Sequence, residues 1–310
     1  MIWIYLVIAN VLSDTLRIYL DNFITDVYFK GREAIAQRLF HGIGITIFAA
    51  TMMLIFNQDF AGLPPVTFFI LFGAGIISAC ANIPYYKALE CDDSTNLGIF
   101  IQLAPILYLV LGWLYLGDTI SPHQLLAFCI ILSAPLLIVL TSRKRSRGVR
   151  LRAMGLAFLY VVIDVIGNLL FVHNVDPAIN FAVPLSISML GVGIGNAAIV
   201  LLNRKWRRRF FTVASKTKGK IYPPLTFDLI LSITKTVTYR GALYFAPAVA
   251  LASVASDATE PIVIFFVGIV LTLIWPKFGR ENLTKKTVAV HLLATILVVI
   301  GIVLMQTQNL

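Results

Sequence analysis

Apolar runs of about 20 residues recur along the whole chain, and each is long enough to cross a hydrocarbon core of roughly 30 Å as a helix. The pattern predicts ten spans, at roughly 2–22, 35–56, 66–89, 95–117, 122–141, 153–173, 180–202, 223–245, 247–274 and 286–307. Breakers sit between the runs: Pro64-Pro65, Asp118 to Pro122, Asn174 to Pro177, Pro223-Pro224 and Pro276 to Gly279. No stretch is left over for a soluble domain, so the expected class is an all-α integral membrane protein. The opening MIWIYLVIAN has no basic lead-in and no small-residue cleavage site, and it reads as a retained first span.

Polar positions inside these runs fall on helical faces. In the first span Asn10, Asp14, Arg17 and Asp21 follow one another at four, three and four residues, and in the eighth Asp228, Ser232, Lys235 and Tyr239 repeat those intervals. Tyr160, Asp164 and Asn168 stand at i, i+4, i+8 in the sixth span, and Ser253, Asp257 and Glu260 at i, i+4, i+7 in the ninth. The third offers Ser78, Asn82, Tyr85 and Tyr86. Stripes on five helices imply a shared aqueous interior, because a charge at the bilayer centre costs at least ~2.5–3.5 kcal/mol unless it faces a partner or water. A structural ion pair that only locks helices together is the competing reading.

Composition agrees with the pattern: 59% of residues are apolar and 13% charged, with a mean hydropathy of +0.88. The net charge of +10 comes from Lys and Arg beside the spans. Basic residues crowd the first, fifth, seventh and ninth inter-span loops, including Lys30, Arg32 and Arg38 in the first, while the even-numbered loops have none. Runs such as RKRSRGVRLR and NRKWRRRF therefore read as cytoplasmic topology signals and not as a nucleic-acid surface, which places both termini outside. Four cations escape that pattern, Arg17, Lys87, Lys235 and Arg240, all within spans or at their ends.

An internal repeat is written in the chain. LPPVTFFIL precedes the third span and YPPLTFDLI the eighth, and ALECDDSTNLGIFIQLAP (88–105) parallels ALYFAPAVALASVASDATEP (242–261). Each copy ends in a proline, Pro105 and Pro261, expected to interrupt its helix. Two five-helix repeats enter the membrane in opposite senses, since five is odd, and interrupted helices near the midplane are where such proteins bind their cargo. The repeats would occupy 1–141 and 153–310, joined by a basic cytoplasmic linker at 142–152.

At these residues the chain resembles the drug/metabolite transporter superfamily, in particular its EamA-type ten-helix members. The likeness rests on the paired repeats with Ala-Leu at the end of the third helix, a proline in the fourth preceded by an acid at Glu260-Pro261, and the Leu-Gly-acid turn Leu116-Gly117-Asp118. The second half departs from it with WPKFGREN in place of the short turn, and the first repeat has Ala104 before its proline. The outside termini also differ from the cytosolic termini usual in that family. The resemblance implies export of a small metabolite across an inner membrane by alternating access. No GxxxxGK[ST] occurs, so the energy would come from a gradient, and no cofactor motif is present.

Within that reading Asp14, Asp164, Asp257 and Glu260 are the candidates for proton coupling. Arg17, Lys235 and Arg240 would meet an anionic group, and Tyr85, Tyr86, Tyr160 and Tyr239 would line the pocket with Asn82 and Asn168. Both signs of charge point to an amphoteric, amino-acid-like substrate. A phosphorylated or nucleotide-linked metabolite stays open, as does an integral membrane enzyme acting on lipid or isoprenoid substrates. Asp92-Asp93 is the only adjacent acidic pair, which weakens the enzyme reading. Besides substrate, the expected partner is the bilayer; a monomer fits and no oligomer is implied. Cys80, Cys91 and Cys129 suggest neither disulfides nor metal, and His41, His123, His173 and His291 read as isolated, mostly interfacial residues. Gly191 and Gly195 form a GxxxG expected to pack helices closely.

Overall fold

The computed structural model describes residues 2–30, 33–60, 63–89, 103–141, 151–274 and 285–306. Every regular element among them is helical: α1 (Ile2–Ile24), α2 (Arg38–Ile55), α3 (Pro65–Leu89), α4 (Ala104–Leu111), α5 (Pro122–Thr141), α6 (Leu151–His173), α7 (Ala182–Leu202), α8 (Arg204–Lys216), α9 (Tyr222–Phe245), α10 (Val249–Ile274) and α11 (Lys285–Gln306). Single π-helical stretches extend α1 and α4 over Thr25–Phe29 and Gly112–Leu116, and a 3-10 turn over Ala34–Gln37 leads into α2. Cys91-Asp92-Asp93, the start of the span expected at 95–117, RKRSRGVR and WPKFGREN lie outside the described residues.

A helix stands at each of the ten expected places. Among the described residues, six stretches are long and apolar enough to cross a membrane: Ile2–Phe29, Ala34–Ile55, Pro65–Ala88, Arg152–His173, Ala182–Leu202 and Val249–Val270. Helix α9 falls short because Asp228, Lys235 and Arg240 dilute its hydropathy, the same residues that make it chemically interesting. Helix α8 is an addition. The basic stretch after α7 was expected to be loop, and Asn203 instead starts a helix there, its side-chain oxygen accepting from the N–H groups of Lys205 and Trp206.

The prolines sort by position. Pro65 opens α3, Pro223 and Pro224 lie in the first turn of α9, and Pro105 in the first turn of α4, where a missing N–H costs nothing. Pro261 corrects an expectation: α10 is not interrupted but runs through it for 26 residues. A proline removes one hydrogen bond and crowds the carbonyl four residues back, here Asp257, and in α10 the turns on both sides keep the helix going.

Two compact units divide the chain. The first gathers Met1–Tyr19, Asp93–Arg150 and Thr234–Leu310, and the second Leu20–Asp92 and Leu151–Ile233, so each draws on both halves of the sequence and the divisions fall inside α1 and α9. In the first unit α10 packs on α4, α5 and α11, and α11 packs on α5. Gly117, left-handed at φ +71°, ends the π-helical stretch and turns Asp118 so that its Oδ2 accepts from Val249 N–H, 2.9 Å away, at the start of α10. The Leu-Gly-acid turn thus caps another helix.

In the second unit α7 lies between α2 and α3, with α3 also on α6. Small residues set the spacing. A Cβ on Gly191 would strike the Phe72 carbonyl of α3, one on Gly195 the Ala79 methyl at 2.7 Å, and one on Gly42 of α2 the backbone of Ala197 at 2.5 Å. The GxxxG of α7 is a packing motif, as expected, because without a hydrophobic drive between helices in lipid close backbone approach supplies the attraction.

Candidate functional site

The thirteen candidate residues separate into two sets. Asp14, Arg17, Lys235, Tyr239, Arg240, Asp257 and Glu260 belong to the first unit; Asn82, Tyr85, Tyr86, Tyr160, Asp164 and Asn168 belong to the second.

In the first unit α1, α9 and α10 meet through Asn10, whose amide donates to the Lys235 carbonyl at 3.1 Å and whose oxygen accepts from Ser256 Oγ at 2.6 Å. One turn on, Asp14 holds two cations at once: Oδ1 is 2.8 Å from Arg17 Nε and Oδ2 is 2.5 Å from Lys235 Nζ. Asp14 and Arg17 are buried, whereas the Lys235 side chain keeps 30% of its surface. Glu260 lies within electrostatic reach of Asp14, Lys235, Asp257 and Arg17, and Asp257 accepts from Ser253 Oγ at 2.8 Å. Asp14 thus holds both cations, with Glu260 and Asp257 beside them. Arg240 is 2% exposed and Tyr239 half-buried on the same helix.

The second unit assembles a different network. Asp21, expected on the same face as Asp14, instead meets the start of α2: it accepts from Gln37 Nε2 and lies 3.9 Å from Arg38. Tyr86 Oη accepts from Arg38 Nη2 at 2.7 Å and from Gln37 Nε2 at 3.0 Å. Tyr85 packs between neighbours, its ring edge-to-face with Tyr86 at 5.3 Å and tilted against Tyr160 at 5.1 Å. Asn82 donates to Asn196 Oδ1 at 3.0 Å and Asn168 to Asp164 Oδ2 at 3.1 Å. A cleft of about 310 Å³ opens beside this network, lined by Glu33, Tyr86, Lys87, Asn203, Lys205 and Trp206, and of the candidates only Tyr86 reaches it.

Three residues correct the sequence reading. Arg38, counted as a loop cation, is buried at the first position of α2. His41, read as isolated, is fully buried with Nε2 2.6 Å from Asp228 Oδ2, both side chains at 0% exposure, and its Nδ1 is 3.2 Å from the Gln37 carbonyl. Gln37 completes the group. The signal was present: Gln37 and His41 are i, i+4 neighbours, and Asp228 already stood on a polar face. Among the described residues no cluster of His, Cys, Asp and Glu could hold a metal ion.

Outside the spans, burial raises the Asp118 carboxyl above the ordinary aspartate value, and the Val249 N–H partly offsets that.

Residues 33–140 match the EamA-like transporter family. That stretch is EamA-like. That family is one of membrane transporters of the drug/metabolite type, and six stretches among the described residues are long and apolar enough to cross a membrane. The EamA-like stretch contains Arg38, His41, Asn82, Tyr85 and Tyr86, while the charged cluster of the first unit lies beyond it. A crystal structure of a protein covers 97% of this chain and 96% of its own at a TM-score of 0.59 and 15% identity, a likeness of fold. No curated protein matches the chain.

Proposed function

We propose that the chain is a secondary transporter that exports a small amphoteric, amino-acid-like metabolite across an inner membrane by alternating access, exchanging it against protons. The observation that supports this reading is the charged cluster around Asp14, which holds Arg17 and the partly exposed Lys235, with Glu260 within electrostatic reach of all three. In a low-dielectric site a carboxylate is costly unless it is paired or neutralised, so acids gathered beside a displaceable cation favour a positive equivalent in its place. A proton on Glu260 or Asp257 supplies it, and so does the ammonium of a substrate; the two compete, which is the chemical basis of exchange. Lys235, the partly exposed cation, is the group positioned to leave Asp14 for a substrate carboxylate.

The ten-span, inverted-repeat plan belongs to the same proposal. It is supported by the helices at all ten places and by the diproline openings of α3 and α9. Both termini and the turns at Asp59, Asp118 and Asp176 would face outward; reporter fusions at 147 and 310 then report opposite sides.

The deciding experiment is uptake into liposomes holding the purified protein under an imposed pH gradient. Substrates come from a thermal-shift panel of amino acids, polyamines, nucleosides and sugar phosphates; a ligand at 100-fold its Kd adds roughly 2.7 kcal/mol of stability. Glu260→Gln should leave the protein folded and flatten the pH dependence of flux, and Lys235→Met should weaken substrate binding. Folded variants whose flux is unchanged at every pH would remove the cluster from the transport path. Stabilisation by sugar phosphates alone would replace the amphoteric substrate with a phosphorylated one.

A further inference from the structure

Helix α8 has two faces of different chemistry. Phe210 and Val213 are buried and Trp206 packs with them against Phe29, Ile24 and Val200, so one side is fixed to the second unit. The cations nearest that side are already engaged: Lys205 Nζ is 2.8 Å and Arg209 Nε 3.8 Å from the Glu33 carboxylate, and Arg209 Nη2 donates to the Phe29 carbonyl at 2.6 Å. The opposite side holds Arg204, Arg207, Arg208 and Phe211, at the intervals i, i+3, i+4 and i+7. All four are exposed; Arg207 Nη1 donates to the Leu201 carbonyl at 3.2 Å, and among the described residues none of the three arginines makes an ion pair with the protein. Phe211 keeps 57% of its surface beside them.

Position identifies what covers that face. Helix α7 is among the stretches apolar enough to cross a membrane, it ends at Leu202 with 86% exposure, and only Asn203 separates it from α8. The helix therefore begins where the hydrocarbon ends. A merely solvated basic face does not need an exposed phenylalanine among its arginines. A bilayer surface uses both: acyl chains take the aromatic ring and phosphates take the guanidinium groups, which present paired donors in one plane.

We propose that α8 lies in the membrane interface and that Arg204, Arg207 and Arg208 bind the headgroups of anionic phospholipids, with Phe211 inserted at the acyl boundary. Glu33 holds the inner edge of the helix through Lys205 and Arg209, which leaves the outer arginines facing the lipid. Each basic residue beside an anionic surface multiplies binding about fivefold, so the three together give a preference on the order of 100-fold, lost as salt shortens the screening length.

The test uses the full-length protein purified in a neutral detergent, with phosphatidylglycerol or phosphatidylcholine added, and counts the lipids retained by native mass spectrometry. The expected result is retention of phosphatidylglycerol over phosphatidylcholine, and loss of most of that preference in Arg204→Gln/Arg207→Gln/Arg208→Gln. Arg208→Lys should keep part of it. Lys216→Gln/Lys218→Gln/Lys220→Gln removes the same charge from the exposed end of the segment and should keep most of it. Because all the altered side chains are exposed, melting temperature should hold, and lipid retention is compared between equally folded samples. Equal retention of the two lipids by the unaltered protein would overturn the proposal. So would equal losses in the two triple variants, which would reduce the effect to net charge. Displacement of the lipid by inorganic phosphate or by a short RNA at equal phosphate concentration would show that the face reads free phosphate or nucleic acid and would also overturn it.

Discussion

The first unit's charged cluster and the second unit's polar network use similar residues to opposite ends. Around Asp14 one acid holds two cations, and Lys235 retains access to its surroundings. In the second unit the acids are enclosed: Asp21 is gripped by Gln37 and Arg38, and Asp228 meets His41 with neither side chain exposed. A buried pair is weak evidence for net stability but costly to open, because removing one partner leaves the other with a lost contact in a low-dielectric site. A cluster with an accessible charged member can exchange that contact for a proton or ligand. Access, more than the presence of charge, separates a candidate site from a lock.

The sharpest way to break this comparison is at the lock. His41→Ala leaves Asp228 buried without its imidazole and should cost about 3–5 kcal/mol, seen as a large fall in melting temperature of the purified protein. His41→Leu combined with Asp228→Leu removes both polar groups and should recover much of that loss. If the double change is no better than the single one, the pair is not a closed unit.

Packing sharpens the contrast next. Gly191→Leu drives a side chain into the backbone of α3 and should destabilise by about 1–3 kcal/mol or more, while Gly155→Leu, where a Cβ meets nothing within 4 Å, should be close to neutral. Comparable melting temperatures for the two would mean that α7 does not depend on small residues.

Lys235→Met probes the open cluster. Asp14 keeps Arg17 at 2.8 Å, so the stability loss should be about 1 kcal/mol, well below that of His41→Ala, while ligand-induced stabilisation disappears. A loss as large as at His41 would make the first unit's cluster a lock as well.

The smallest effect belongs to Asp118. Its folded-state carboxyl sits above the ordinary aspartate value, so the folded protein holds this proton more tightly than the unfolded chain. Its contribution is complete below the ordinary value and is lost as pH rises through the folded one. Asp118→Asn keeps an oxygen for the Val249 N–H and should erase that slope; Asp118→Ala loses the cap as well, at about 0.5–2 kcal/mol. Melting curves across the acid range on both variants check the sign.

The helices were legible in the sequence because a bilayer imposes one rule: backbone groups must be satisfied within the segment, so a long apolar run becomes a helix. The diprolines marked helix starts for the same local reason, a missing N–H that a first turn does not need. The GxxxG of α7 could be read because backbone approach depends on the residues at one face and nothing distant. Periodicity also placed Asp14, Arg17 and Lys235 on polar faces correctly, since a face is a property of one helix.

Partners are not. Asp14 and Asp21 sit seven residues apart on one helix, and only the packing sent one to Lys235 and the other to Arg38. His41 looked isolated because its carboxylate is 187 residues away, and no spacing rule spans that distance. Arg38 looked like a topology signal because charge counting treats every loop cation alike, and burial alone separates the arginine that holds Tyr86 from those that face lipid. Pro261 carried a local penalty that the surrounding helix absorbed. The sequence set the elements and the faces through local sterics and hydropathy; tertiary structure chose which faces meet, because ion pairing and burial depend on distances that no stretch of sequence contains.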